Sequence, residues 1–308
     1  MTAAAEPSGQ FTSVAGSSRP SMRHRLADRG IDRVLLLLIP GVAFLVVLFV
    51  YPFIYGLQLS FSPETGGPLS NYQTFFNDPY LRDTIGITLW LGLPAALFNV
   101  AVSVPIAYRM RGRFRGKRTI TTLLVVPITL GTVLTAEGLI EYLGPAGWVN
   151  KFLVDFGIIG EPLTLVHNYQ GVFLSLVITG FPFAFLLVLS YLSGIDPSLE
   201  QAAAVMGASW QQRFRHVTFP LLVPGLAITF CLAFVLAFSV FPSANLVGNP
   251  TGDTHVISIA AYHAAFEQFD YSLGSAIAMI MAAVMLSVIA LVLAWRGRMY
   301  RGATGGKG

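Results

Sequence analysis

The sequence predicts an all-α integral membrane protein with six membrane-spanning helices, and three observations support this fold class. Of its 308 residues, 54% are hydrophobic and only 11% are charged, whereas soluble domains contain about a quarter charged residues. Six runs are long enough to cross a bilayer, which takes about 20 mainly apolar residues. Each run is continuously apolar, which excludes the alternating strands of a membrane barrel. The predicted spans are 34–58, 84–108, 119–142, 168–193, 221–243 and 271–295.

The residues before the first span differ in composition from the rest of the chain. Residues 1–33 are rich in Ser, Ala, Gly and Arg and lack a periodic apolar face, as is typical of disordered segments. A cleaved signal peptide would have an apolar region of about 7–15 residues, and the run at 34–58 is longer. We therefore predict a disordered basic tail at 1–33, a six-span domain at 34–298 and a short basic tail at 299–308.

The basic residues are distributed unequally between the two sides of the predicted bundle. Lys and Arg residues near span ends are retained on the cytoplasmic side of the membrane. Of the 19 basic residues, all but Arg82 and Lys151 fall on the side of the N-terminal tail. The sequence therefore predicts that both termini are cytoplasmic. The net charge of +4 follows from this topology, and no nucleic-acid partner is expected because the charges form no patch on a folded surface.

Proline occurs within several of the predicted spans. Each proline removes a backbone donor and favours a kink that neighbouring groups must satisfy. Kinked helices suit a bundle that lines a path, but proline is also commoner in membrane helices in general. The prolines in question are Pro94, Pro105, Pro127, Pro182 and Pro242.

The connection between the fourth and fifth spans, residues 194–220, is here named the docking loop. Asp196 is a good N-cap and Pro197 suits the first helical position, so a helix is predicted over Ser198 to Met206. Gly207 then permits a break. An alanine-rich helix outside the membrane is useful when its small face packs closely on another surface, so we predict a docking element for a cytoplasmic partner.

A second helix is predicted in the docking loop after the break. Ser209 and Gln212, three residues apart, form a capping box at its start. The helix is predicted to continue through Phe214 and His216 and to end before Pro220, where the fifth span begins. The predicted result is a helix-turn-helix on the cytoplasmic face.

The residues of the docking loop also form a sequence motif. The run EQAAAVMGAS at 200–209 is followed by Phe214, Val217, Phe219-Pro220 and Pro224-Gly225. This run resembles the EAA loop of binding-protein-dependent ABC importer permeases. One position departs from the motif, because Gln201 stands six residues before the glycine, where the family has glutamate, and Glu200 is displaced by one position. The likeness extends over most of the chain after residue 34, including Tyr51-Pro52, Leu59-Ser60-Phe61, Asn71-Tyr72 and residues 144–150.

The resemblance implies the type I importer fold, with a core unit of about 84–296 and the docking loop at 194–220 as its coupling loop. In that family, the loop sits in a cleft of an ATP-hydrolysing subunit, whose closure rocks the spans. The residues that the resemblance assigns to coupling are Glu200, Gln201, Ala202, Ala203, Met206, Gly207, Ala208, Phe214 and Pro220.

The same resemblance implies the partners of the chain. They are two ATPase subunits, a second permease subunit that is usually a different chain, an extracytoplasmic substrate-binding protein and the lipid bilayer. ATP and Mg would be bound by the ATPase, with no cofactor and no catalytic residue in this chain. Consistently, the nearest thing to a phosphate loop, at 112–118, has three residues between its glycines instead of four and lacks the final Ser or Thr.

Candidates for a substrate path come from polar and aromatic residues near or within the spans. Glu137 and Glu141 lie four residues apart near the outer end of the third span, and ionisable groups inside membrane segments are functional candidates by default. The alternative is that this last turn already lies in the wet interface, where a carboxylate is tolerated. Phe181, Phe238 and Asn245 are the other candidates, and lipid or helix contacts are the alternative explanation for the two aromatic residues.

The solute class is indicated only by resemblance. The runs at 160–165, 195–199 and 273–276 look most like permeases for polyamines, opines and related organic cations, and sugar permeases share much of this pattern. We therefore predict a small polar solute such as a polyamine, with a sugar or sugar derivative as the alternative.

Other classes of function lack the residues that they require. The single cysteine, Cys231, lies within an apolar run, and His255 and His263 are too loosely spaced to predict a metal site. An intramembrane enzyme would need a catalytic set of polar residues inside the spans, which the sequence lacks. A stand-alone secondary carrier, the alternative transporter class, would often show a repeat with broken helices in its two halves, and no such duplication is visible.

Overall fold

A computed structural model describes residues 33–112 and 116–300 of the chain. Across these residues the chain is helical with connecting turns and contains no strand. It divides into two compact units, with the boundary between Tyr55 and Gly56. Most of both predicted tails lies outside the described residues, except that Arg33 begins the first helix and the last helix continues to Tyr300.

The helix bounds follow the predicted spans closely. In the first unit, α1 (Arg33–Leu45) is followed by a π-helical turn (Val46–Val50) and by the start of α2 (Tyr51–Ser60). In the second unit, two further π-helical turns lie at Phe214–Thr218 and His263–Glu267. The other helices are α3 (Ser70–Asn77), α4 (Pro79–Met110), α5 (Lys117–Leu143), α6 (Trp148–Asp155), α7 (Tyr169–Ser193), α8 (Pro197–Val205), α9 (Trp210–Arg213), α10 (Phe219–Phe238), α11 (Pro242–Leu246), α12 (Ile257–Tyr262) and α13 (Tyr271–Tyr300).

Six helical segments in the described part of the chain are long and apolar enough to cross a membrane. They coincide with the six predicted spans, so the prediction of a six-span helical bundle is confirmed. The main core of the second unit contains Phe75, Phe234, Phe238, Ile257 and Ile277, all fully buried. It lies where α4 and α10 meet α12 and α13, and α7, which also packs on α4, contributes Ala184 to it.

Small residues allow two of the spans to approach closely. A Cβ atom placed on Gly225 of α10 would lie 2.5 Å from the ring of Tyr191 in α7. Glycine at such positions lets helices in a membrane pack backbone against side chain without a clash. The close packing of α4, α7 and α10 makes these three helices the centre of the second unit.

The two ends of the second unit differ in charge. The docking loop lies at the same end as the C-terminus of α4, because Glu200 and Arg111 are in contact. The end of α13 lies there too, because Trp295 lines the same groove as Tyr108. Among the described residues of this unit, the basic side chains lie at this end except for Arg82 and Lys151. That this end faces the cytoplasm stays a prediction of the charge rule.

The fifth span differs most from its prediction. The second docking-loop helix does not end before Pro220, since Trp210 to Phe238 form one continuous helical run. Pro220 lies in the first turn of α10, and a proline ring normally clashes with the carbonyl one turn before it. The π-helical turn widens the helix just before that proline, with the Phe219 N–H donating to the carbonyl of Phe214. The helix therefore passes through the proline instead of stopping.

The breaks in the helices also differ from the predicted kinks. The prediction placed Pro242 inside the fifth span, but α10 ends at Phe238 and Pro242 begins the short helix α11. In the third span, the interruption lies at Gly131 (φ 74°, ψ 172°), one turn after Pro127. Only glycine adopts this conformation readily, because a Cβ atom would clash with the backbone. Pro94, Pro105 and Pro182 lie within helices as predicted.

Candidate functional site

The first helix of the docking loop forms as the sequence predicts, shifted by one residue. It is α8, and the carboxylate of Asp196 caps it by accepting a hydrogen bond from the Ser198 backbone N–H at 2.9 Å. This hydrogen bond lowers the pKa of the Asp196 carboxyl from its usual range, because it favours the ionised form. Gly207 ends the turn after α8 with a positive φ of 86°, so the predicted break is confirmed.

The capping box of the second docking-loop helix is also present. The Ser209 backbone N–H donates to the Gln212 side-chain oxygen at 2.8 Å, and the Gln212 backbone N–H donates to the Ser209 hydroxyl at 3.4 Å. Two backbone donors at the start of α9 are thereby satisfied. The loop is thus two helical segments joined at a glycine, the second of which continues into the fifth span.

Glu200 is buried at the base of the docking loop. Only 8% of the residue is exposed. Its carboxylate accepts hydrogen bonds from the guanidinium of Arg111, at the end of α4, and from the hydroxyl of Thr218, at the base of α10. The hydroxyl of Tyr108 in α4 lies 3.3 Å from the same carboxylate. One acidic side chain of the loop is therefore bonded to two different spans.

Aromatic rings cover this buried ion pair. The guanidinium of Arg111 lies 4.8 Å from the centre of the Tyr108 ring. The Tyr108 ring packs in turn against Phe214, at 4.8 Å between ring centres, and against Trp210, at 5.7 Å. These rings keep water away from the charges, which strengthens the ion pair. Phe214, which the motif assigned to coupling, thus contributes to the inside of the loop.

The opposite side of α8 is exposed. Met206 is 81% exposed, and its neighbour Val205, which the sequence analysis did not single out, is 90% exposed. Ala203 is buried against the chain, and Ala208 and Phe214 are half-buried. The remaining residues assigned to coupling are exposed, namely Gln201, Ala202, Gly207 and Pro220. The predicted coupling residues therefore divide into an outward set and an inward set.

The five residues predicted to line a substrate path do not form one site. Glu137 and Glu141 are exposed on α5, and Asn245 is exposed on α11. Phe181 is half-buried and stacks on Phe185. Phe238 is fully buried in the main core, so it is a packing residue that faces no open cavity.

A cavity of about 420 Å³ lies between α4, α5, α7, α10 and α11, and the sequence analysis did not predict it; its lining is mainly apolar with a few polar side chains. The side chain of Asn99 reaches it from α4, with Nδ2 donating to the Leu176 carbonyl at 3.1 Å. The Asn99 Oδ1 atom is buried and has no hydrogen-bond partner within the described residues. Hydroxyl groups complete the polar part of the lining, from Thr132, Thr179, Ser239 and Ser243.

Two helix breaks meet at this cavity. Gly131, the interruption of α5, lines it, and so do Ser239 and Val240, two of the three residues between α10 and α11. In transporters, discontinuous helices expose backbone groups where a solute is bound within the membrane. The cavity lining includes no titratable side chain. The sequence feature that could have indicated this cavity is Asn99, an amide side chain within an apolar span.

His255 lies at the end of the bundle opposite the docking loop. It is only 2% exposed, and its Nδ1 is 2.7 Å from the Pro250 carbonyl. Its ring stacks on Tyr80, with 4.2 Å between ring centres, and lies 6.1 Å from the ring of His263. Burial lowers the pKa of His255. Within the described residues, no three His, Cys, Asp or Glu side chains come close enough together to hold a metal ion.

Comparison with known proteins finds a family model that matches most of the chain and relatives that match smaller shares of it. Residues 11–300 match the family model of the binding-protein-dependent transport system inner membrane component. The probable sulfate transport system permease protein cysT of Prototheca wickerhamii is 34% identical over 217 residues, 70% of this chain and 83% of that protein. The spermidine/putrescine transport system permease protein PotB of Haemophilus influenzae is 29% identical over 181 residues, 58% of this chain and 63% of that protein.

Solved structures show the same fold. A bacterial alginate ABC transporter, crystallised with an alginate pentasaccharide-bound periplasmic protein, contains a chain that superposes with a TM-score of 0.75 at 22% sequence identity. The superposition covers 92% of this chain and 99% of that chain. The type I importer fold implied by the docking-loop motif is therefore confirmed.

Proposed function

The chain belongs to the permeases of binding-protein-dependent ABC importers, which are multi-pass inner-membrane proteins, and from this premise we propose that it forms half of a solute pathway driven by a separate ATPase. The observation that carries the proposal is the geometry of the docking loop. Its outer side presents Val205 and Met206 almost fully exposed, while its inner side is bonded to α4 and α10 through Glu200. A projecting apolar tip of this kind is typical of a surface that another protein covers.

The proposed partners follow from this arrangement. The tip of the docking loop would sit in a cleft of one of two ATPase subunits on the cytoplasmic side. ATP and Mg would be bound there, and this chain would carry neither. A second permease, a different chain in our proposal, would supply the other half of the pathway. A substrate-binding protein would deliver the solute from the opposite side, which is supported by the alginate transporter, a complex with an alginate pentasaccharide-bound periplasmic protein.

For the solute, we propose a small polar molecule, with polyamines and related organic cations as the first candidate. This class is supported by the sequence runs that resemble polyamine and opine permeases, and by the likeness to PotB. A cation would be attracted by carboxylates, and Glu137 and Glu141 are exposed on α5, where a pathway between two permeases could use them.

A sugar or sugar derivative is the second candidate, and the uncharged polar side chains in the lining of the cavity favour it. The lining of the cavity includes Asn99 and several hydroxyl groups. A neutral solute rich in hydroxyl groups could exchange hydrogen bonds with these side chains, and none of them carries a charge that would favour a cation.

Uptake measurements on two variants distinguish these candidates. If the solute is a cation that passes the carboxylates, the double variant Glu137→Gln/Glu141→Gln loses uptake and Asn99→Leu largely retains it. If a neutral solute occupies the cavity, the pattern is reversed. The solute itself is found by screening the co-purified binding protein against putrescine, spermidine and a panel of sugars by thermal shift. No stabilisation by either class would contradict both assignments.

A further inference from the structure

The buried carboxylate of Glu200 joins α8 to α4 and α10, two spans that already pack closely on each other. It belongs to α8, and its hydrogen-bond donors come from two spans. Arg111 lies at the C-terminal end of α4, and Thr218 lies in the π-helical turn that leads into α10. The hydroxyl of Tyr108, also in α4, is 3.3 Å away. A displacement of α8 from either span would break a bond to the same carboxylate.

The chemistry of this cluster makes such a displacement unfavourable. A carboxylate removed from water is tolerated only when it is paired and hydrogen-bonded. Glu200 fulfils both conditions with groups of its own chain. The positive side of the cluster depends on it as well, because Arg111 Nη2 donates to Glu200 while Arg111 Nη1 is buried without a hydrogen-bond partner in the described part of the chain. If Glu200 moved away from Arg111, the buried carboxylate and the buried guanidinium would each lose a hydrogen-bond partner of opposite charge.

The position of the glutamate decides which way it faces. Successive residues of an α-helix differ in direction by about 100°. Gln201 occupies the usual glutamate position of the motif and is exposed, whereas Glu200, one residue earlier, is buried. Moving the carboxylate by one position therefore turns it from the outer side of α8 towards the spans of its own chain.

We propose that Glu200 is a positioning residue that fastens the docking loop to α4 and α10, so that a movement of α8 is transmitted to these two spans through Arg111 and Thr218. This inference rests on the proposed function, since the movement would be imposed by the ATPase. The ATPase would contact the exposed side of α8, and the bonds of Glu200 would transmit the movement of α8 to α4 and α10. Transport without this carboxylate would be uncoupled from ATP hydrolysis although the parts of the complex are present.

The test uses the complete complex, purified with its ATPase and reconstituted with the binding protein in liposomes. Glu200→Gln removes the charge with little change in shape, and Thr218→Val removes the hydroxyl with even less. Glu161→Gln, an exposed carboxylate elsewhere in the chain, is the matched control. Three quantities are measured for each variant: the yield of complex, the basal ATPase rate, and the solute imported per ATP hydrolysed.

The expected result is a change only in the solute imported per ATP hydrolysed. Solute imported per ATP falls by about 2- to 30-fold in Glu200→Gln, the range typical of residues that carry coupling between sites, and by less in Thr218→Val. Yield and basal ATPase rate stay within about twofold of the control. The charge-reversed double variant Glu200→Arg/Arg111→Glu recovers part of the loss, because it restores an ion pair at the same place.

Two results would overturn the inference. The first is unchanged import per ATP in both Glu200→Gln and Thr218→Val. The second is a loss of complex yield with normal import per ATP in what remains, which would make the cluster purely a folding element. Failure of the unaltered chain to recruit any ATPase would overturn the proposed function itself, a result distinguishable from either of these.

Discussion

At the scale of single residues, His255 links the local environment to a measurable pH dependence. Burial lowers the pKa of this imidazole from its ordinary value of about 6.5. The unfolded chain therefore binds more protons than the folded chain as the pH falls below that value. The stability contributed by neutral His255 is fully present above about pH 6.5 and is lost as the pH falls towards the folded pKa.

We predict that the melting temperature of the detergent-purified protein falls between pH 7.5 and pH 5.5, and falls less in His255→Gln. Glutamine does not titrate in this range, so the variant loses the proton linkage. His216→Gln, a change at an exposed histidine, is the control and should retain the pH dependence of the unaltered chain. Equal pH dependence in His255→Gln and the control would show that another group is responsible.

Residue-level prediction from sequence worked where the interaction is local. The caps at Asp196 and Ser209 depend on groups two or three residues away, so their spacing could be read directly. The inward direction of Glu200 could not, because its main partner Arg111 is 89 residues away along the chain. The role of Asn99 could not be predicted for the same reason, since the other residues of the cavity come from four other helices and the turn before α11.

At the scale of elements, the docking loop depends on its glycine turn. Gly207 has a φ of 86°, a conformation that costs a residue with a side chain about 1–3 kcal/mol. We predict that Gly207→Val abolishes the stimulation of ATPase activity by loaded binding protein while the spans stay folded. Gly207→Asn is the matched control, because asparagine accepts this conformation more readily. Normal stimulation in Gly207→Val would contradict the role of the turn.

The fifth span shows what limits prediction of an element's ends. Pro220 was read as a boundary because proline usually stops a helix. The chain instead inserts the π-helical turn Phe214–Thr218, which joins the docking loop and the span into one run. A turn of this kind brings Thr218 to Glu200, a contact that the sequence pattern does not reveal. The same pattern of a π-helical turn before a proline occurs at Val46–Val50 and Pro52.

At the scale of the whole molecule, the six-span architecture could be predicted from composition because long apolar runs have few alternatives in a membrane. The orientation of the bundle stays a prediction. The structure collects the docking loop and most described basic side chains at one end, and the charge rule assigns that end to the cytoplasm.

Cysteine labelling tests this orientation. The natural Cys231 is buried, so a membrane-impermeant maleimide should leave the unaltered chain unlabelled. We predict that Asp155→Cys is labelled in intact spheroplasts and that Arg298→Cys, at the end of α13 and outside the docking loop, is labelled only after the membrane is permeabilised. Both positions are exposed, so the difference reports the side of the membrane. The reverse pattern would contradict the predicted orientation.

The central claim is that this chain works as one permease subunit of an ATP-driven importer. The most direct test is affinity purification of the chain from its native membrane in a gentle detergent, with mass spectrometry of every co-purifying protein. The account predicts recovery of an ATPase and a second permease, with ATP hydrolysis in the purified complex. Recovery of this chain alone, without ATPase activity, would contradict the account and favour a stand-alone secondary carrier.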